Sequence, residues 1–228
     1  MIDVDYHAQQ DWGIDALHVG KTSGLGGLTL YLDGKEYPVQ SPAGEGHVQF
    51  EHRILGTGPV RSAVEILAKG VFPQAPEMVV TIRCIIQAGH PETEIQVRLP
   101  EGFEHAQLAP GLMNLEGGHH FQTEQGAIGA WGYHGDDIGE IGLAIKVQSR
   151  QSDGGPTEPL LQEVVTLEHE RRLLTNPLSG RPLHHKYWIL GTWRRGMQYP
   201  VAPSPENWKT MVERWEEQFH VLRSIEVR

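Results

Sequence analysis

The sequence has almost no cysteine. Cys84 is the only one in 228 residues, so no disulfide can form within the chain. It sits inside MVVTIRCIIQ and reads as a small core residue, since a reactive thiol needs an electropositive and partly open setting. Positive charge is also scarce: 19 Lys and Arg stand against 29 Asp and Glu, a formal net charge of -10 with 13 His neutral. That balance excludes the broad basic footprint of a nucleic-acid-binding protein. It leaves room for an anionic ligand held by local Arg or Lys. No apolar run approaches the ~20 residues of a membrane helix. The opening MIDVDYHAQQ is acidic and polar, unlike a signal peptide. The expectation for the chain as given is a cytoplasmic protein without a membrane partner, or a periplasmic or secreted one if a signal peptide was removed. There is no G-x-S-x-G nucleophile elbow, and no H-E-x-x-H or paired-cysteine zinc spacing.

Glycine and proline are plentiful, at 27 and 15. They punctuate short β-like runs, as turns between many strands do. LTLYLDGKEYPVQ is the clearest hairpin, with Asp33-Gly34 as a favoured two-residue turn. HVQFEHRIL alternates from Val48 through Phe50. PVRSAVEILAKGVF and MVVTIRCIIQ are extended and rich in β-branched residues. TEIQVRLP alternates strictly, with Ile95, Val97 and Leu99 on one face. GAIGAWGYHG, EIGLAIKVQ, QEVVTLEHE and HHKYWILGTWRRG complete the strand set. QSRQSDGGPTEP is the best loop. Only the end is helical, over about 204–222. Ser204 caps it, Pro205 suits its first turn, and Trp208, Met211, Val212, Trp215, Phe219 and Leu222 recur at spacings of three and four. That stripe is expected to pack on a sheet. The expected architecture is all-β: one antiparallel β-sandwich domain over 1–228 with a C-terminal α-helix.

YHAQQDWGIDALHVGKTSGLGG, Tyr6 to Gly27, imitates a phosphate-binding loop. The motif needs G-x-x-x-x-G-K-[ST] between a strand and a helix. Gly20-Lys21-Thr22 supplies its second half. The first glycine is replaced by Asp15, whose carboxylate would face the phosphates, and a strand follows instead of a helix. The glycines serve another purpose.

Histidine suits proton transfer or metal binding, and it clusters at Tyr6-His7, at His119-His120 with Tyr133-His134, and at His184-His185. Adjacent His pairs diverge in a strand, as does EHE at 168–170, so a zinc site needs ligands from across a sheet. No cofactor is required, and a divalent metal stays open. YWILGTWRRG places Tyr187, Trp188 and Trp193 beside Arg194 and Arg195. AWGYHGDD places Trp131, Tyr133 and His134 beside Asp136 and Asp137. Flat aromatics with carboxylates and guanidiniums suit a sugar, and paired Arg suits a uronate carboxylate.

The opening stretch, with Tyr6-His7, Gly13-x-Asp15 and Val19-Gly20-x-Thr22-x-Gly24-x-Gly26-Gly27, resembles the core of domain-of-unknown-function family 4861. ILGTGPVRSAVEI, IGAWGYHGDDIGEIGLAI, and YWILGTWRRG with SPENW are similar to its later segments, so the resemblance covers essentially the whole chain. Members usually carry a further region before the Tyr-His motif. The resemblance implies a bacterial protein of uronate or pectin-like polysaccharide catabolism, on a galactose-mutarotase-like β-supersandwich. Lyase or isomerase chemistry would need a base, an acid and positive charge for the developing enolate. His7 or His119 is the expected base, Tyr187 the acid, and Lys21 or Arg194 the carboxylate clamp. Asp15, Trp131, His134 and Trp193 are expected to bind a uronate oligosaccharide. The alternatives are a non-catalytic carbohydrate-binding or accessory module, and a glycoside hydrolase using Asp15 with Asp136 or Glu140.

Overall fold

Alternation such as that of TEIQVRLP commits one face of a strand to a core, and the computed structural model shows where that core lies. It describes residues 15–19, 22–40, 47–103, 105–135, 138–147, 161–166, 170–175, 184–193 and 204–221. In chain order the strands are β1 (Leu25–Leu32), β2 (Lys35–Pro38), β3 (Gln49–Gly56), β4 (Arg61–Lys69), β5 (Val79–Gln87), β6 (Thr93–Arg98), β7 (Gln107–Met113), β8 (Glu116–Gln122), β9 (Ile128–Tyr133), β10 (Glu140–Val147), β11 (Leu161–Thr166), β12 (Glu170–Thr175) and β13 (His184–Trp193). The helix α1 spans Pro205–Val221.

Two antiparallel sheets result, as the punctuated strand pattern implies. One has the order β11-β12-β7-β1-β2, the other β3-β4-β5-β6-β13-β10-β9-β8. Asp33 and Gly34 both take positive φ, 51° and 76°. This is the mirror-image turn whose twist matches a hairpin. Leu28, Leu30 and Leu32 of β1 and Leu108 and Leu112 of β7 bury against Val97, Ile141, Leu143 and Ile145 of the larger sheet. Each such side chain contributes about 1.5–3 kcal/mol on burial. Ile95, Val97 and Leu99 are all buried, as their alternation predicts.

A second cluster forms on the outer face of the larger sheet. Trp208, Val212 and Trp215 of α1 pack against Trp131, Ala144 and Leu190. The Asn207 N–H donates to Ser204 Oγ at 3.3 Å, so Ser204 caps the helix as expected. The side chains of Phe219 and Leu222 lie outside the described residues, as does the loop 148–159. A buried ion pair pins the helix down. Lys146 Nζ donates to Glu216 Oε1 at 2.7 Å and to the Gln125 carbonyl at 3.1 Å. The Ala127 N–H donates to the same Glu216 oxygen at 3.0 Å.

Candidate functional site

The larger sheet alternates across its edge strands. On β3, Phe50 and His52 face inward, while Glu51 and Arg53 face out. Phe50 and His52 line a cleft of about 790 Å³ between the start of β1 and this half of the sheet. Val64 and Ile66 of β4 and Ile82 and Cys84 of β5 form its aliphatic floor, and Tyr187 and Ile189 of β13 close one side. His52, Ile66 and Ile82 are direct cross-strand partners. Asp15, Thr22 and Ser23 supply polar groups at the mouth. Phe50 is 43% exposed, so it is accessible to a ligand. Burial pushes the Cys84 thiol up, which keeps it protonated and unreactive.

The glycine run forms one wall of this cleft. Gly24 and Gly26 have φ of 56° and 82°, values that L side chains rarely adopt. A Cβ on Gly26 would collide with Ile189. The bulge between Leu25 and Gly27 starts β1 pressed against β13. The Thr22 hydroxyl donates to the Val19 carbonyl at 2.6 Å, and the Gly24 N–H donates to Thr22 Oγ1 at 3.2 Å. A strand follows the run, so no helix N-terminus is offered to a phosphate. The glycines serve close approach between two sheets.

His7, Lys21 and Arg194, together with Asp136, lie outside the described residues. Asp15 and Tyr187 line the cleft together. Tyr187 is buried, however, and its hydroxyl donates to the Gly26 carbonyl at 2.7 Å. Burial, with Cys84 nearby, drives its pKa far above the ordinary phenol value. It acts as a brace between the sheets, and its committed proton is ill suited to acid catalysis. His119 is exposed on β8 opposite Trp131, on the face where α1 packs. It does not meet Tyr187. Trp131 is 1% exposed beneath Trp208, a core residue and no sugar platform, because the helix covers its face.

Trp193 packs at the edge of the core, with its indole N–H donating to the Ile138 carbonyl at 2.9 Å. His134 accepts the His18 N–H on Nε2 at 2.9 Å. When neutral it therefore carries its proton on Nδ1. Burial, and then the His18 ring, hold its pKa below the ordinary imidazole value. His134 thus anchors the 15–19 segment that brings Asp15 to the cleft, where Asp15 Oδ1 accepts the Leu17 N–H at 3.1 Å. Glu140 does not line the cleft. Phe50 and His52 went unnominated in the sequence, although extending the period-2 pattern of HVQFEHRIL from Phe50 places His52 on the same face.

Among the described residues, no group of three or more His, Cys, Asp and Glu converges as metal ligands, and no helix is long and apolar enough to cross a membrane. A family model described as "Domain of unknown function (DUF4861)" matches residues 2–222. No curated protein matches the chain.

Proposed function

We propose, on the premise that this chain belongs to the DUF4861 family, that it is a carbohydrate-active protein of uronate-polysaccharide breakdown and takes a uronate-bearing saccharide in the cleft. The observation that carries this reading is the pairing of Phe50 and His52 on the inner face of β3, above an aliphatic floor. A sugar ring has a C–H face that packs on an aromatic ring or on aliphatic side chains. Its hydroxyls and carboxylate then meet Asp15, Thr22, Ser23 and His52 at the mouth. His52 replaces His119 as the base, because it is an imidazole in the cleft. Removing the proton next to the uronate carboxylate starts both lyase and isomerase chemistry. Asp15 takes a sugar hydroxyl or orients the base. Lys21, which stands in the chain between the lining residues Val19 and Thr22, keeps its role as clamp for the developing enolate.

A second reading, a non-catalytic saccharide-binding module, draws support from Tyr187, whose hydroxyl is engaged with Gly26 and is therefore not free to act as the general acid. One experiment separates the two. Purified protein meets pectin-, ulvan- and alginate-derived oligosaccharides, saturated and unsaturated, with ultraviolet absorbance and mass read together. Turnover that falls at least ~100-fold in His52→Ala, with binding retained, supports the enzyme. Saturable binding that Phe50→Ala removes, without turnover of any substrate, supports the module. Absence of both binding and turnover sinks the saccharide reading.

A further inference from the structure

The strands that floor the cleft carry charge on their other face. Arg53, Glu65, Arg83 and Gln96 are successive cross-strand partners in one row over β3, β4, β5 and β6. Glu51, Leu67, Thr81 and Arg98 form the adjacent row, with Glu51 paired to Lys69 at 2.6 Å. Glu65 is 1% exposed, although α1 packs on β9 and β10 and, among the described residues, no helix covers this half of the face. The two guanidiniums bury it. Arg53 reaches Glu65 Oε1 with Nε at 2.7 Å and Nη2 at 2.5 Å, and Arg83 Nε reaches Oε2 at 2.7 Å. Their side chains stay 64% and 46% exposed.

Between them lies a depression of about 180 Å³, lined also by Leu67, Thr81, Gln96 and Arg98. Three guanidiniums meet one carboxylate there, in a chain of net charge -10. Arg98 is exposed and has no ion-pair partner among the described residues. The nearby Lys186 ammonium is balanced by Glu94 at 3.3 Å. Held by Glu65, the planar guanidiniums lose little freedom when they bind a second carboxylate.

We propose that this depression is a carboxylate-binding subsite for an acidic saccharide chain, on the face of the sheet opposite the cleft. Arg83 and Arg98 hold the carboxylate, Glu65 positions the Arg83 guanidinium, and Leu67 offers apolar contact to the sugar ring. The identity of the polymer rests on the function proposed above, whereas the recognition needs only a carboxylate. The full chain is titrated calorimetrically with a long oligogalacturonate, galacturonate monomer, citrate and a neutral oligosaccharide, over a salt series. Arg98→Ala removes an exposed side chain without disturbing the Glu65 pairs, so folding is preserved. It is expected to weaken the long oligogalacturonate about fivefold and to flatten the salt dependence, and Arg83→Ala is expected to do the same. Wild-type affinity in both variants overturns the subsite. So does equal binding of the neutral oligosaccharide, or Arg98-dependent binding of citrate without binding of the polymer. If Phe50→Ala abolishes all binding while Arg98→Ala changes nothing, the cleft reading stands and the subsite falls. If polymer affinity depends on Arg98 but Phe50→Ala and His52→Ala change nothing, the subsite stands and the cleft reading falls.

Discussion

Among the described residues, the eight-stranded sheet is covered on both faces along β13, β10 and β9, while its edge strand β3 is open on both. In the covered half, every residue of β10 from Ile141 to Val147 is buried; in the open half, every residue of β3 is exposed. Each half nevertheless holds a buried carboxylate neutralised by cations. Glu216 is met by Lys146, whose side chain is only 10% exposed. Glu65 is met by Arg53 and Arg83, which remain largely in solvent. The same device pins a helix in one half and displays guanidiniums in the other. What differs is whether the cation's far side meets protein or water.

The covered half carries the largest expected effects. Lys146→Met leaves Glu216 buried without its cation and is expected to cost about 3–5 kcal/mol. Urea unfolding checks this, and Lys146→Met combined with Glu216→Leu should recover most of the loss. If the single variant were as stable as the wild type, the ion pair would not be what holds α1 down. Ile145→Ala, on the inner face of the same strand and 0% exposed, is expected to cost about 2–5 kcal/mol.

The covered half was also the harder one to read from sequence in its functional part. Trp131, in AWGYHGDD, resembles an exposed sugar platform, and only the position of α1 on the sheet shows that it is core. The helix itself was legible, because capping and periodicity are local signals. β7 escaped because Pro110 and Gly111 interrupt its pattern, yet it lies between β12 and β1; proline in an inner strand runs against the usual rule. β8 hid behind Gly117-Gly118, and β12 followed too closely on QEVVTLEHE. In the open half, alternation placed Phe50 correctly and implied His52. The Glu65 row stayed hidden, since it depends on cross-strand register, which one strand's sequence does not contain. His119 and Tyr187 were plausible partners by residue type alone. Their separation on two faces is a fact of topology.

Two pH experiments sharpen the contrast at intermediate size. The hydrogen bond from Arg83 holds the Glu65 carboxyl below its ordinary value of 4.5, against the opposing effect of burial and with further help from Arg53. A depressed folded-state value means stability that is fully present above the unfolded value and lost as pH falls through the folded one. The stability gap between wild type and Glu65→Gln should therefore be constant near neutrality and close on acidification below about pH 4.5. A gap that stays open at low pH would assign the effect to packing rather than charge. His134 behaves likewise in a higher window. Burial and His18 depress its value from 6.5, so the bond to the His18 N–H is retained above that pH and lost as pH falls through the lowered value. The bond contributes about 0.5–1.5 kcal/mol. Amide exchange at His18 should lose protection on acidification in the wild type, and His134→Leu should show little protection at any pH.

The smallest expected effect is the most direct test of the comparison. Ile54 lies on the inner face of β3 but is 68% exposed, and Ile54→Ala should change stability by no more than about 0.5 kcal/mol. Ile145→Ala removes the same atoms from the same face of the same sheet. A difference of several-fold between the two isolates the contribution of the opposing layer, because chemistry, strand type and side-chain direction are held constant. If Ile54→Ala instead approached the loss at Ile145, β3 would be covered in solution. The apolar residues around it, Leu55, Val60 and Ile86, would then be an interface, and measuring the Ile54→Ala loss over a range of protein concentrations would show whether a second copy supplies the cover.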